Sequence, residues 1–324
     1  MVTIIMKNRK NILICGATGF IGRNILLDLS KNKNYKIFAV HHRSKKISLP
    51  NVKWIKADLT NANIVKKITK NIDILIQAAA TTSGAKDIVS KPYIHVTDNA
   101  IMNSYLLRSA FENKIKHFIF FSCTVMYQSS KTGIKENNFN PSEEIYPKYY
   151  GVANTKLYIE RMCEFFSKIS KTKFTCIRHS NIYGKFDKFD LEKSHFFGAS
   201  VNKVMNAEKE IVIWGDGQEK RDLLFIDDLV NFVKSCMKKQ KKNFRIYNCG
   251  YGKAYKVKEI ISKIIISSKK RLIIKTDLTK PSIKTSLFLD CKLAKRELNW
   301  KPKFSLENGI DKTVKWYKTN LKIK

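Results

Sequence analysis

The sequence predicts an α/β protein, a doubly wound parallel sheet with a smaller mixed α/β region beside it. Three observations carry that prediction. Short apolar runs alternate with amphipathic stretches through the first half: Ile12–Cys15, Lys36–Val40, Ile72–Ile76, His117–Phe121 and Phe174–Ile177. Strand and helix repeated in this way give a parallel sheet. The runs are nearly continuous in hydrophobicity, as expected for strands covered by helices on both faces. A glycine trio, Gly16, Gly19 and Gly22, follows the first run and opens a helical pattern.

Each element has its own signal. The first strand, Asn11 to Gly16, follows a basic N-terminus, Met1 to Lys10, with no signal-peptide pattern. A cytoplasmic protein is therefore expected. A third strand is placed before Asp58-Leu59, and the fourth runs into Ala78-Ala79-Ala80. After about residue 180 the pattern turns irregular, with short strands at Ile211–Trp214 and Leu272–Ile274. Between them Val257, Ile260, Ile261, Ile264 and Ile265 fall at helical spacing. The polar stretch Ser129 to Pro147 reads as a loose segment.

Composition narrows the function classes. The 324 residues allow about two domains at roughly 150 residues each. With 44% hydrophobic and 27% charged residues, 6 Pro and 13 Gly, collagen-like, low-complexity and disordered classes are excluded. No apolar run approaches the roughly 18 residues of a membrane helix, so no membrane span is expected. The seven cysteines are scattered without CxxC pairs or Cys/His clusters, which indicates neither disulfides nor a metal site. The net charge of +35 would attract anions. The lysines are spread over helices and loops, however, and no dense basic run is interleaved with aromatics, so no nucleic-acid partner is expected.

The motifs carry the chemistry. In Gly16-Ala17-Thr18-Gly19-Phe20-Ile21-Gly22, a turn between strand and helix lets backbone N–H groups and the helix dipole face a pyrophosphate. The last glycine permits close helix packing. The second strand ends in His41-His42-Arg43-Ser44-Lys45, where an acidic residue would hold a ribose 2′-hydroxyl. Positive charge there suits a 2′-phosphate, and NADP(H) is expected over NAD(H), with Arg43 as its partner. Asp58 and Leu59 are placed at the adenine, and Ala78, Ala79 and Ala80 line the cofactor.

With these features the chain resembles the extended short-chain dehydrogenase/reductases of the nucleotide-sugar epimerase/dehydratase family. The likeness covers nearly the whole length. It includes Asn99 in a helix ending at Ala110, Arg178-His-Ser-Asn181-Ile-Tyr-Gly184, Trp214-Gly-Asp-Gly217, Arg221 to Asp228, Tyr247-Asn-Cys-Gly250 and Leu298-Asn-Trp-Lys-Pro302. The resemblance implies a Rossmann-type sheet over residues 1–180, with a return at about 222–248, as the NADP-binding domain. Residues 181–221 and 249–324 would form the substrate domain. Within the family, Phe189 to His195 looks most like the GDP-4-keto-6-deoxyhexose epimerase/reductases of the GDP-fucose synthase type, enzymes that supply surface polysaccharide precursors. A histidine after serine is the acid/base of epimerisation there, which assigns His195. Outside that context a lone histidine reads as a polar surface or core residue.

The catalytic centre departs from the family. Tyr and Lys normally stand four apart on a helix, where the ammonium tunes the phenol and holds the cofactor ribose. Lys156 keeps the family's downstream spacing, but Val152 stands four residues before it. At 100° per residue, Tyr149 lies about 20° from the lysine face and Tyr150 about 120° away, so Tyr149 is the better acid if the helix extends that far. In the alternative reading both tyrosines only pack the loop. Counting back four from Tyr127 gives Cys123, flanked by Thr124, where the family has Ser or Thr. The cysteine base of the GDP-fucose synthase type falls at Val125. On an extended strand, positions 123 and 125 share a face, so Cys123 would reach the sugar; as a buried thiol it would be inert. No Asp-Glu pair follows Thr124, which disfavours dehydration. By family position Asn181, Lys203 and Arg221 hold the diphosphate or sugar.

The resemblance thus implies a homodimeric NADP-dependent enzyme that epimerises and reduces a nucleotide sugar, its dimer formed by the helix after Lys156 and the Asn99–Ala110 helix. A C4 epimerase that retains its cofactor, and a cofactor-binding relative without catalysis, remain as alternatives.

Overall fold

The computed structural model describes residues 9–81, 92–191, 194–279 and 286–321. The first half alternates strand and helix: β1 (Lys10–Cys15), α1 (Phe20–Leu29), β2 (Tyr35–His41), β3 (Val52–Lys56), α2 (Ala62–Ile68), β4 (Ile74–Gln77), α3 (Pro92–Glu112), β5 (His117–Ser122), α4 (Tyr150–Ile169) and β6 (Lys173–His179). The second half runs β7 (Asn181–Tyr183), α5 (Phe196–Asn206), β8 (Glu210–Trp214), β9 (Lys220–Phe225), α6 (Ile226–Lys239), β10 (Phe244–Cys249), β11 (Ala254–Lys256), α7 (Val257–Ser268), β12 (Ile273–Asp277), α8 (Lys292–Leu298) and α9 (Leu306–Asn320).

Among the described residues, seven strands pair in the order β10-β6-β5-β4-β1-β2-β3, every pair parallel. The chain winds outward from β1 in one direction and then in the other. That reversal opens a crevice beyond the carboxyl ends of β1 and β4, the place where such sheets bind ligands. The side-chain period of two divides β1 between two cores. Ile12 and Ile14 pack with Ile25 and Leu26 of α1 and Leu229 and Phe232 of α6. Leu13 and Cys15 face the other way, toward Leu106 and Leu107 of α3 and Ile159 and Cys163 of α4. Phe118, Phe120 and Phe174 are buried in this second core, each worth about 1.5–3 kcal/mol against exposure.

Beyond the sheet, β7, β9 and β11 form a three-stranded sheet, and β8 pairs with β12 in parallel. Helix α7 buries Val257, Ile260, Ile261, Ile264 and Ile265, the apolar set read from the sequence. Two buried carboxylates tie loops to this region. Asp222 accepts the N–H groups of Tyr251, Gly252 and Leu289, and Asp228 those of Lys303 and Phe304.

Three local expectations are corrected. Strand β4 starts at Ile74 and not Ile72, because Asn71 takes a left-handed φ of 58° and the Asp73 carboxylate turns to accept the Asn11 N–H and pair with Lys116. The late strand runs Ile273–Asp277, set by its register on β8. The stretch from Ser129 to Pro147 is not loose. Ile134 donates its N–H to Phe288 O and accepts from Asp290 N, while Glu136 accepts the Asn248 N–H. Backbone pairing with a distant segment is invisible to a reading based on local polarity.

Candidate active site

The glycine turn lies at the mouth of the crevice. Gly16 has φ +71°, and a Cβ there would meet Ala79 N at 2.6 Å and Ala78 C at 2.7 Å. A Cβ on Gly22 would come within 2.2 Å of Gly16 O, so side chains are excluded at both ends of the turn. Gly19 caps α1 without a side-chain hydrogen bond, and the first turn of α1 carries no acidic residue. Thr18, Phe20 and Ile21 are half-buried and Gly19 is exposed. An uncapped helix start with open N–H groups fits a diphosphate. The backbone of Ala78 and Ala79 packs on Gly16, while Ala80 is exposed. The residues present therefore fit a dinucleotide.

At the end of β2 an open cavity of about 960 Å³ is lined by His41, His42, Arg43, Lys45, Lys46 and Lys56, with Ser44 and Trp54. The Asp58 carboxylate accepts from Thr60 Oγ1 (2.7 Å) and Thr60 N (2.9 Å). Those bonds, aided by His42 and Arg43, hold it below the usual carboxylate range. The Leu59 side chain is buried in the core, so only its backbone can meet a ligand.

The other end of the crevice is assembled from several elements. Lys156 of α4 donates to Phe121 O at 2.8 Å and its ammonium lies 4.7 Å from the Phe120 ring centroid. Burial lowers its pKa, against the raising effect of Cys123 and Glu160. A 3₁₀ turn, Pro147–Tyr149, precedes α4, and Tyr149 is the helix N-cap with φ −103° and ψ −1°. The α-helix therefore begins one residue after Tyr149, so the helical phase argument that favoured Tyr149 from the sequence stops one residue short of it. The two tyrosines diverge: Tyr149 is half-buried and Tyr150 is 64% exposed. Burial raises the Tyr149 phenol, opposed by Arg221, and Cys123 is also close enough to act on it. Cys123 thus lies within electrostatic reach of both Tyr149 and Lys156, and Arg221 within that of Tyr149.

Strand β5 ends at Ser122, and residues 124–127 form a turn in which Tyr127 N donates to Thr124 O at 3.0 Å. The expectation that positions 123 and 125 share a strand face is overturned. Cys123 still reaches the site from its place just past the strand end, where burial raises the thiol pKa against the pull of Lys156. Thr124 beside it is half-buried.

Beneath these groups lies a buried network that the sequence reading missed. Arg178 forks onto Glu160 (Nε–Oε1 3.0 Å, Nη2–Oε2 2.6 Å). Ser122 Oγ donates to Glu160 Oε1, and Arg178 Nη1 to Tyr127 OH, which donates to Asn248 Oδ1. Burial alone would lower Arg178; the Glu160 contacts outweigh it and keep the guanidinium charged. A buried ion pair survives when its remaining polar atoms are satisfied, and this one locks the ends of β5, α4 and β6. His179, the last residue of β6, was also missed. It is half-buried, with Lys156 and His195 near enough to act on it.

His195 is the N-cap of α5 and is exposed as a residue, while partial desolvation of its ring, with Lys188, lowers its pKa. Asn181, exposed, donates from Nδ2 to Asp222 O. The Lys203 ammonium lies 5.6 Å from the ring of Trp214, itself 54% exposed. Among the described residues no group of three or more His, Cys, Asp or Glu side chains could hold a metal, and no helix is long and apolar enough to cross a membrane.

Known proteins share this architecture. The model of the NAD dependent epimerase/dehydratase family matches residues 12–250. The GDP-L-colitose synthase of Yersinia pseudotuberculosis is 28% identical over 319 residues, covering 94% of this chain and 97% of that one. The GDP-L-fucose synthase of Azorhizobium caulinodans is 26% identical over 324 residues, covering 97% and 98%. Among solved structures, a UDP-glucose 4-epimerase from Thermotoga maritima, in complex with UDP-glucose, superimposes with a TM-score of 0.83 at 24% identity over 96% of this chain and 100% of that one. A UDP-glucuronic acid 4-epimerase from Bacillus cereus, in complex with NAD, gives 0.80 at 22% identity over 95% and 96%. These two show the fold. With a family match across most of the chain and a crevice built for a dinucleotide, the chain belongs to the NAD dependent epimerase/dehydratase family of extended short-chain dehydrogenase/reductases, nicotinamide-dependent enzymes of nucleotide-sugar chemistry.

Proposed function

We propose that the protein is an NADP(H)-dependent epimerase/reductase of a GDP-linked 4-keto-6-deoxyhexose. The observation that carries this reading is the place of Cys123 just past the end of β5, within electrostatic reach of both Lys156 and Tyr149, with Arg221 acting on Tyr149 and His195 at the N-cap of α5. Supporting it, the two GDP-sugar synthases match over nearly their whole length. The cationic cavity at the end of β2 supports a 2′-phosphate and so NADP(H).

In this reading the seven-stranded sheet holds the cofactor, and residues 181–221 and 249–324 hold the sugar nucleotide. The bound cofactor supplies the hydride for the ketone. Tyr149, whose phenol stays protonated at neutral pH, gives its proton to the ketone oxygen. Lys156 holds the cofactor ribose and tunes the phenol. Arg221, Lys203 and Asn181 hold the diphosphate and sugar, with Arg suited to bidentate phosphate contact. His195 exchanges protons at the carbon beside the ketone. Helices α3 and α4 pack together and leave Ile101, Tyr158, Phe165 and Ile169 exposed, a face suited to a homodimer.

The test is incubation with NADPH and a panel of GDP-, UDP-, CDP- and dTDP-sugars, including 4-keto forms. Oxidation of NADPH with a GDP-4-keto sugar and an inverted product is expected. A second reading, C4 epimerisation with retained cofactor, is favoured by the match to a UDP-glucuronate 4-epimerase at 26% identity over 329 residues. It predicts interconversion of a UDP-sugar without net NADPH oxidation.

A further inference from the structure

Inverting a carbon beside a ketone needs two groups, one to remove a proton from one face and one to deliver a proton to the other. His195 is one candidate. The position that supplies the second group in GDP-fucose synthase-like enzymes is Val125 here, which carries no proton. Cys123 is nearby, but burial raises its thiol pKa, and a protonated thiol is a poor base.

We propose that His179 is the second proton-transfer group, paired across the sugar with His195. This rests on the epimerase/reductase reading. His179 ends β6, beside the end of β5 that carries Cys123. Its ring lies edge-on to Phe121, centroids 6.2 Å apart, and Phe121 O is the acceptor for Lys156. Nδ1 lies 2.8 Å from Ser180 O. A carbonyl only accepts, so Nδ1 carries the hydrogen and Nε2 of the neutral ring presents a lone pair. That bond is the ring's one hydrogen bond among the described residues, and the side chain is half-buried, so Nε2 is left for a ligand. Burial, with Lys156 from α4 and His195 from the N-cap of α5, outweighs the raising effect of the Ser180 carbonyl and lowers its pKa to about 4. The ring therefore stays an unprotonated base through neutral pH.

The step balances without an oxidant. Nε2 of His179 takes the proton of the carbon beside the ketone, and the electron pair of the broken C–H bond moves into an enolate whose charge rests on the ketone oxygen. His195, carrying a proton taken up from water, gives it to the opposite face, re-forming the C–H bond. Exposed as it is, His195 regains a proton from water, and His179 returns its own to solvent.

The test separates proton exchange from reduction. Protein loaded with NADP⁺ is incubated in D₂O with GDP-4-keto-6-deoxymannose, and deuterium entering the sugar is followed by mass spectrometry. Wild type is expected to incorporate deuterium. His179→Gln and His179→Asn should each lose exchange by a factor of about 10² or more, while binding NADPH within about threefold of wild type and still reducing an already inverted ketone. Exchange at the wild-type rate in the His179 variants overturns the assignment, as does loss of NADPH binding in both, which would mark a structural role. A wild-type protein that exchanges nothing overturns the epimerase/reductase reading itself.

Discussion

The two ends of the crevice are built differently. At the cofactor end the diphosphate turn is one contiguous segment, residues 16–22, and its work is done by backbone: a positive φ at Gly16, N–H groups at the start of α1, and a Gly22 with no room for a Cβ. The other end collects single side chains from the segment just past β5, the turn before α4, α4 itself, β6, β9 and the cap of α5. Backbone chemistry tolerates no substitution but needs no long-range assembly. Side-chain chemistry tolerates a shifted residue, provided the fold returns it to the same place, as the proposed role of Tyr149 requires.

Substitutions at the two ends should therefore fail in different ways. The largest effect is expected at Gly22. Gly22→Val puts a branched side chain where even a Cβ meets Gly16 O at 2.2 Å, and the turn cannot form; NADPH titration by fluorescence should detect no binding. Tyr149→Phe should lower turnover by about 10² to 10⁴ with NADPH affinity intact, whereas Tyr150→Phe, at an exposed position, should leave kcat near wild type. Equal losses in both would dissolve the distinction between them. Lys156→Ala should weaken cofactor binding and turnover together, since in the proposed reading it holds the cofactor ribose and tunes the phenol.

A smaller effect belongs to the basic cavity. Arg43→Asp removes a cation and adds repulsion, so the ratio of NADP(H) to NAD(H) affinity should fall by roughly 10- to 100-fold, the scale of one charge-assisted hydrogen bond. Calorimetric titration of both cofactors measures it. Equal wild-type affinities would end the case for a 2′-phosphate site.

The smallest effect concerns stability away from both ends. Asp187 is buried, its Oδ2 has no hydrogen-bond partner among the described residues, and burial raises its pKa to about 7. The folded protein then holds a proton that the unfolded chain releases near pH 4. The stability from that protonated carboxyl is complete below the ordinary carboxylate range and is lost as pH rises toward 7. Asp187→Asn should therefore raise Tm by a few degrees at pH 8 and change it little at pH 4. A shift independent of pH would contradict the ionisation.

The same contrast explains what the sequence could disclose. The glycine turn, the cationic end of β2 and the alternation of strand and helix are local patterns, readable in a few residues. Lys156 was legible because its downstream residues keep their spacing. The Glu160–Arg178 pair was not, since 18 residues and an intervening strand start separate two charges whose contact only the sheet creates. The end of β5 at Ser122 was missed for a related reason: the turn that stops it is closed by a hydrogen bond between Thr124 and Tyr127, and nothing in Cys-Thr-Val-Met announces it. His179 was hidden inside a segment read for its asparagine.

The central claim is that this crevice consumes NADPH to reduce a GDP-linked 4-keto sugar after inverting a neighbouring carbon. Its most direct test is absorbance at about 340 nm with stoichiometric NADPH and GDP-4-keto-6-deoxymannose, followed by NMR of the product. Loss of NADPH equal to the sugar consumed, with an inverted centre beside the new hydroxyl, is the predicted result. Unchanged NADPH together with interconversion of UDP-glucuronate and its C4 epimer would contradict it.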